Sequence, residues 1–313
     1  MEALSYIQPL IAIILAPLLL GLINRTKAYF AGRTGQPLLQ AYYDIAKLLR
    51  KGAVYSTTTS WIFRAAPVVC LGAAVTATLL VPFGTSKAPL AFTGDLILFA
   101  YLLGLMRFFI VIGALDTGSA FEGMGASREV QFSALAEPAL LLGLAAMARQ
   151  THTWSLSEMY SRIWSLPEMH AAILVTSLPT YVPAMILVAA ALLVIFLAEN
   201  ARIPVDDPNT HLELTMIHEV MVLDNSGPDF GFMLYAAALK LWVLGALLVG
   251  ILFPIRTGLW WADALAFVGG MMVLAVITGM VESAMARLRL VRVPQLLVAA
   301  GVLSTLALVL VLR

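Results

Sequence analysis

Apolar residues fill the chain in long runs that are separated by shorter polar stretches. Runs of about 18 to 22 residues match the length that an α-helix needs to cross the hydrocarbon core of a bilayer. Eight windows of this kind predict an all-α integral membrane protein with one polytopic membrane domain. The predicted spans are residues 4–23, 66–83, 92–113, 131–148, 180–198, 231–253, 263–282 and 294–312.

A different periodicity occupies the first long connection, residues 24–65. Between positions 38 and 51, apolar residues recur at helical spacing while Asp44, Lys47 and two further basic residues fall largely elsewhere. This pattern predicts an amphipathic helix that lies at the membrane surface. The helix could serve as a simple lipid anchor, or its basic residues could contact acidic phospholipid or an acidic partner.

Basic residues predict the orientation of the spans. With eight spans, the first, third, fifth and seventh connections hold twelve Lys and Arg residues, whereas the other side holds five. The positive-inside rule then places both termini on the outer side of the membrane. The polar connections 24–65, 114–130 and 199–230 are expected in the cytoplasm. The external segment 149–179 carries Trp154, Tyr160 and Trp164 at a spacing typical of interfacial aromatic residues.

Composition narrows the function further. Hydrophobic residues make up 61% of the chain and charged residues 12%, where soluble proteins carry about 25% charged residues. The net charge of +1 gives no reason to expect nucleic-acid binding. A single cysteine, Cys70, cannot form an internal disulfide, hold an iron–sulfur cluster or make a thiolate zinc site. We therefore expect no metal or cofactor on this chain and any redox metal on another subunit.

The connection after the fifth span is unusually acidic. From Glu199 to Asp229 it holds seven acids against one arginine and two histidines, and Pro204 interrupts the helix. A second helix is expected from about 209 to 222, with one apolar face. His211 and His218 are seven residues apart, which differs from the four-residue spacing of zinc-binding pairs. Both histidines are expected to be partly solvated.

Charged residues also fall inside or at the ends of spans. Arg107 and Lys240 lie within spans, Glu137 lies within the fourth window, and Glu199 and Glu282 end the fifth and seventh. A charge at the centre of a spanning helix costs about 2.5–3.5 kcal/mol on insertion scales, so it normally faces the bundle interior and a partner. The alternatives are snorkelling of the two cations to the interface and solvation of the terminal glutamates.

Four stretches resemble the subunit 1 family of respiratory complex I, and more closely the matching membrane subunit of group 4 energy-converting NiFe hydrogenases such as formate hydrogenlyase. The first two resemble the family's first cytoplasmic loop and its acidic signature loop: GRTGQPLLQAYYDIAKLLRK and ENARIPVDDPNTHLEL. The other two resemble the hydrogenase branch: GALDTGSAFEGMGASRE and ESAMARLRL. The resemblance spans the whole chain.

This resemblance implies a subunit that docks a soluble redox arm onto the membrane and couples redox chemistry to proton or sodium movement. The implied partners are the hydrogenase large and small (iron–sulfur) subunits, a ferredoxin-like iron–sulfur subunit, antiporter-like membrane subunits and the lipid bilayer. The 4Fe–4S clusters and the NiFe centre are implied on those partners. The implied location is a bacterial or archaeal cytoplasmic (inner) membrane.

Residue roles follow from the same motif match. Glu199, Arg202, Asp206 and Glu213 occupy the positions of the family's Glu, Arg, Asp and final Glu. No catalytic residue is predicted on this chain. The residues expected at the charge relay and at the interface with the redox arm are Glu199, Arg202, Asp206, Asp207, His211, Glu213, Glu219, Asp44, Lys47, Arg128, Glu129 and Glu137. Arg107, Lys240 and Glu282 are expected as intramembrane charges.

Departures from the family pattern keep alternatives open. Asn209 and His211 stand where the family has glutamates, Asp207 is an additional acid, and Arg33–Gly35 replaces an Arg-Gly-Pro. The second hypothesis is the quinone-chamber subunit of a complex I-like NAD(P)H or ferredoxin:quinone oxidoreductase, and these departures count against it. The third hypothesis is a self-contained secondary transporter, suggested by the intramembrane charges.

Overall fold

The computed structural model describes residues 6–83, 86–163, 181–206, 216–253 and 259–313. Across these ranges the chain is built from helices and contains no β-strand, which confirms the predicted all-α class. Two 3₁₀ helices cover Glu219–Val222 and Leu290–Arg292. The α-helices are α1 (Ile7–Phe30), α2 (Gln40–Leu49), α3 (Trp61–Leu80), α4 (Asp95–Asp116), α5 (Ala120–Thr151), α6 (Leu156–Ile163), α7 (Tyr181–Glu199), α8 (Gly227–Leu252), α9 (Trp260–Ala284) and α10 (Val293–Leu312).

Eight of these helices, all except α2 and α6, are long and apolar enough to cross a membrane. This number agrees with the eight predicted spans, and the chain is a multi-pass membrane protein. Several helices are longer than the apolar windows. For example, α1 continues to Phe30, and α3 begins at Trp61, because polar residues at helix ends remain helical beyond the hydrocarbon core.

The largest correction concerns α5. The sequence predicted a loop over 114–130, but α4 ends at Asp116 and α5 begins at Ala120. α5 therefore has 32 residues, and at 1.5 Å per residue it is about 48 Å long, well beyond a hydrocarbon core of about 30 Å. The spans were predicted from apolar content alone and not from helix propensity. The polar first turns of α5 were therefore assigned to a loop.

The helix α8 forms the centre of the bundle. Every residue from Ala238 to Val249 is buried, as expected for a helix that is apolar around its whole circumference. Helices α1, α2, α3, α7 and α9 all pack against it. Trp242 is fully buried, with the Phe83 ring 5.9 Å away between centroids. The centre of α8 is consequently a rigid support for the side chains that project from it.

The predicted amphipathic helix in the first connection is present as α2. It packs against α8 and α1, and the Tyr42 hydroxyl donates a hydrogen bond to the carbonyl of Ile14 on α1. Its Leu48 and Leu49 side chains lie next to Gly231 of α8. The apolar face of α2 is thus partly covered by the bundle.

Two further predictions need correction. Tyr160, expected at the membrane interface, lies on α6 in the bundle core, where its hydroxyl donates a 2.7 Å hydrogen bond to the Leu247 carbonyl. Trp154 is 54% exposed, and Trp164 lies outside the described residues. Within the expected helix 209–222, residues 216–222 form a turn and the 3₁₀ helix Glu219–Val222, because side chains distant in sequence bind this backbone.

Candidate functional site

Arg107 of α4 is a buried cation at the centre of a group of acidic side chains. Its Nε is 3.3 Å from Glu129 Oε1 on α5, and its two terminal nitrogens bind the carboxylates of Glu137 on α5 and Glu199 at the end of α7. The Arg107 side chain is only 7% exposed. The guanidinium therefore faces the bundle interior and does not snorkel to the interface.

Lys240 of α8 completes this group. Its Nζ lies 2.8 Å from Glu199 Oε2, so Arg107 and Lys240 each hold one oxygen of the same buried carboxylate. We call these five residues, Arg107, Glu129, Glu137, Glu199 and Lys240, the central cluster. Three carboxylates and two cations from four helices meet here, which explains how the bundle tolerates charges that would be costly when isolated.

Glu282 at the end of α9 belongs to a second ion-pair group. It is buried, with Lys27 Nζ of α1 2.8 Å from Oε2 and Arg202 Nη1 3.4 Å from Oε1. The sequence left open a solvated terminal glutamate at this position, and the burial rules that alternative out. Lys27, Glu199 and Glu282 mark one end of the bundle, which we call the polar end.

Asp206 organises the loop that follows α7. Its Oδ1 lies 2.6 Å from Arg287 Nη2, and its Oδ2 accepts hydrogen bonds from the backbone N–H of Ile217 (3.0 Å) and of His218 (3.5 Å). Arg128 Nη1 donates to the Met216 carbonyl at 2.9 Å. Asp206 thus anchors the segment that begins at Met216, and the two hydrogenase-like stretches supply arginines on either side of it.

The remaining predicted residues lie apart from these ion pairs or outside the described residues. Asp44 and Lys47 are exposed on α2, and Asp44 accepts a 2.8 Å hydrogen bond from the Gln40 amide. Glu219 is partly exposed in the 3₁₀ helix. Three predicted residues fall outside the described ranges: Asp207, His211 and Glu213.

A groove of about 470 Å³ opens at the polar end between α1, α2, α8 and the loop after α7. Its walls are largely apolar, and its polar residues include Asp44, Arg202, Asp206, His218 and Glu219. Beneath it lies an inner cavity of about 60 Å³, which has room for about two to four waters. The walls of this inner cavity include Cys70, Met106, Glu199, His218 and Lys240.

Two further spaces connect to the central cluster. A side cavity of about 20 Å³ is lined by Glu129, Glu199, Asp206 and His218. A lateral cleft of about 470 Å³ opens on the flank of the bundle, with Glu137 and Glu199 in its wall. Glu199 consequently contributes to the inner cavity, the side cavity and the lateral cleft. Its carboxylate lies between the inner cavity, which is next to the groove, and the lateral cleft on the flank.

His218 is the functional candidate that the sequence reasoning missed. Its side chain is partly exposed and lines the groove, the inner cavity and the side cavity together. Desolvation by burial lowers the pKa of this imidazole below the ordinary value of 6.5, against the opposing effect of nearby carboxylates. The signal in the sequence was a single histidine within the apolar run MIHEVMV. Its partial exposure agrees with the expected partial solvation, but its position beside three cavities was not predicted.

Metal binding has no support among the described residues. They contain no group of three or more His, Cys, Asp and Glu side chains arranged to hold a metal ion. Cys70 is a buried thiol within α3. The described residues therefore do not fit an iron–sulfur cluster or a nickel–iron centre.

Comparisons with known proteins place this architecture in a family. The family model described as NADH dehydrogenase matches residues 3–313. The chain belongs to this family. Two family relatives come from Escherichia coli K12. The protein named formate hydrogenlyase subunit 4 is 32% identical over 302 residues, which cover 93% of this chain and 92% of that one. The protein named hydrogenase-4 component C is 32% identical over 250 residues, which cover 79% and 74%.

The fold is shared with a solved structure titled as the membrane-bound sulfane sulfur reductase, an archaeal respiratory membrane complex. The TM-score is 0.77, with 21% identity, over 97% of this chain and 99% of that one. Together the family model and the two relatives from Escherichia coli K12 identify the chain as a membrane subunit of the complex I-like type. They confirm the resemblance drawn from the four sequence stretches.

Proposed function

We propose that this chain anchors the soluble redox arm of a membrane-bound NiFe hydrogenase or formate hydrogenlyase-like complex and couples its redox chemistry to ion movement. The observation that carries the proposal is the position of Glu199. This carboxylate is held by Arg107 and Lys240 and lies between cavities that lead toward the groove and toward the flank. Such an arrangement suits a relay of charge into the membrane.

The polar end is the proposed docking side. It carries the exposed helix α2, the acidic loop and the mouth of the groove, and the basic connections there predict a cytoplasmic location with both termini on the outer side. The named relatives support a hydrogenase large and small subunit, a ferredoxin-like subunit and antiporter-like subunits as partners in a bacterial or archaeal inner membrane. The 4Fe–4S clusters and the NiFe centre would be carried by those partners.

The proposed relay depends on electrostatics within the central cluster. A change of charge near the groove, on reduction of a docked partner, alters the field at Arg202 and Asp206, which lie in its wall. Arg202 and Asp206 are only a few residues from Glu199 in the sequence. Asp206 and Glu199 both line the side cavity. Arg107 then links Glu199 to Glu129 and Glu137 along α5.

The test neutralises Glu199 in the whole complex. We expect Glu199→Gln, which keeps the shape of the side chain, to abolish ion movement per electron in sealed vesicles while the complex still assembles. The matched control is Asp95→Asn, a buried carboxylate at the opposite end of the bundle, which should leave the coupling ratio unchanged. Wild-type ion movement and turnover in Glu199→Gln vesicles would refute the relay.

A second function has one observation in its favour. The groove is largely apolar and large enough for a quinone-sized ring, which suits the quinone-chamber subunit of a complex I-like oxidoreductase. Quinone-dependent turnover that a substitution such as Ala41→Trp in the groove wall blocks would support this alternative. Full hydrogenase turnover in quinone-free membranes would exclude it.

A further inference from the structure

We propose that His218 carries protons from the groove to the central cluster, so that the ion which enters at this end is H⁺ and not Na⁺. This inference rests on the proposed coupling function and adds the identity of the ion and of the residue that passes it on. Among the residues that the structure describes, His218 alone lines the groove, the inner cavity and the side cavity together, and imidazole is a side chain that can both accept and release a proton.

Geometry places His218 between the source of protons and their acceptors. The groove opens to solvent or to a docked partner at the polar end. The inner cavity joins His218 to Glu199, and the side cavity joins it to Glu129 and Glu199. At about 20 Å³ the side cavity has room for one water. A proton can therefore leave the ring through a single water molecule or a short chain of waters.

The backbone around His218 holds the ring in place. Asp206 accepts hydrogen bonds from the backbone N–H of both Ile217 and His218, and Arg287 in turn holds Asp206. On the other side, a Cβ on Gly125 of α5 would lie 2.9 Å from the Ile217 carbonyl oxygen, so α5 approaches this turn as closely as only glycine permits. The backbone that carries the imidazole is thus held at the junction of the cavities.

Charged groups around the ring make it able to gain and release a proton. Within the described part of the chain, the charges that act on the ring are Glu129 on α5, Lys240 on α8, and Glu199 and Asp206 at the end of α7 and in the loop after it. Burial and Lys240 favour the neutral ring, whereas the three carboxylates favour the imidazolium. The pKa is lowered by this balance, so the resting ring is neutral and ready to accept a proton.

The transfer is balanced in two steps. A hydronium ion in the groove protonates the free ring nitrogen of neutral His218, which leaves water and an imidazolium. The imidazolium then gives one proton, directly or through a water, to a carboxylate of the side cavity, which leaves neutral imidazole and a carboxylic acid. Glu129 is the first acceptor, because it makes a single 3.3 Å contact with Arg107 while Glu199 is held by two cations.

The same contacts argue against a sodium ion. Sodium binds several oxygen ligands, but both oxygens of Glu199 are already paired with Arg107 and Lys240. Glu137 is likewise bound to Arg107. A sodium ion placed here would lie next to the two positive charges of Arg107 and Lys240. A proton avoids this conflict because it neutralises a carboxylate without adding a ligand shell.

The experiment uses the whole complex in sealed vesicles and measures turnover together with proton uptake and ²²Na⁺ uptake. We expect His218→Asn to lower proton movement per electron by about tenfold or more and wild-type vesicles to move no ²²Na⁺. His152→Asn is the matched control. His152 is exposed, ends α5 far from the groove, and has a positive φ of 51°, a conformation that asparagine tolerates, so this variant should couple normally.

A second variant separates proton transfer from a structural role. In His218→Ala, added imidazole should restore proton movement, since the vacated ring position adjoins the inner cavity. Normal coupling in His218→Asn, sodium uptake by wild type, or a His218→Ala complex that assembles but is not rescued would each overturn the inference. Loss of coupling in Glu199→Gln alongside normal coupling in His218→Asn would reject His218 and keep the proposed function. Normal coupling in Glu199→Gln would reject the function itself.

Discussion

Two buried carboxylates at opposite ends of the bundle, Asp95 and Glu199, have very different surroundings. Asp95 begins α4 and accepts hydrogen bonds from the Leu156 N–H (2.6 Å), the Ser155 hydroxyl (2.8 Å) and the Phe92 N–H (3.4 Å). Glu199 ends α7 and is held by two cations. Glu199 also lines three cavities, whereas Asp95 lines none of the cavities described above.

This difference shows that burial of a charge does not by itself indicate function. Uncharged donors from a tight turn hold Asp95, and they join the start of α4 to the start of α6, so its contribution is to stability. Fixed cations hold Glu199, and the space around it admits water. In a membrane bundle, a buried acid becomes a relay candidate only when a connected cavity reaches it.

The largest effect should come from leaving a cation of the central cluster without its partner. Glu199→Ala removes the carboxylate bound to Lys240, and an unpaired buried charge costs about 3–5 kcal/mol. The apparent melting temperature of the purified complex should drop sharply. Adding Lys240→Met should recover most of the loss, because it removes the orphaned ammonium. A double variant as unstable as Glu199→Ala would mean that Lys240 does not depend on Glu199.

Removing the acid at the opposite end should have an intermediate effect confined to stability. Asp95→Ala leaves a buried hydroxyl and two backbone N–H groups without their acceptor, at a cost of about 1–3 kcal/mol. The melting temperature should fall, while the number of ions moved per electron by the assembled complex stays at the wild-type value. Asp95→Asn should be milder since it keeps one acceptor. An altered coupling ratio in either variant would contradict the distinction drawn between the two ends.

The smallest effect should be a pH dependence of stability that originates at His218. Because the pKa of His218 is lowered in the fold, the unfolded chain binds a proton there more readily, and stability falls as pH drops below the unfolded value of about 6.5. Glu129, Glu199, Asp206 and Lys240 face the ring. Melting temperatures measured from pH 7.5 to 5.5 should decline more steeply for wild type than for His218→Asn. If the melting temperatures of wild type and His218→Asn fell equally with pH, the pKa of His218 would not be lowered in the folded protein.

Much of the fold could be predicted from the sequence, because each membrane span is a continuous apolar window of the chain. The amphipathic α2 was also local, since its period is visible within a dozen residues. The start of α5 was not, because its polar turns meet Asp224, Met216 and Arg107, which are distant in sequence. The same reason explains the turn at Met216, whose backbone is bound by Asp206 and Arg128.

For the candidate site, the sequence identified most of the charged residues but not their pairing. Arg107, Glu137, Glu199 and Lys240 stood out because each is expensive in lipid, yet which of them would meet depends on how four helices pack. His218 was overlooked since its neighbours in the sequence are apolar and its role depends on empty space. Cavities leave no local trace in a sequence.

Glu137 has a consequence for how the protein is made. Its side chain is 48% exposed in the wall of the lateral cleft, next to Tyr101 and Phe108, which are 74% and 58% exposed. A newly synthesised copy that has no neighbour therefore presents a carboxylate on its flank to acyl chains. A neighbouring subunit that covers this flank removes that contact. An unassembled copy would therefore keep a polar group on a flank that is otherwise apolar, a position that is costly in contact with lipid.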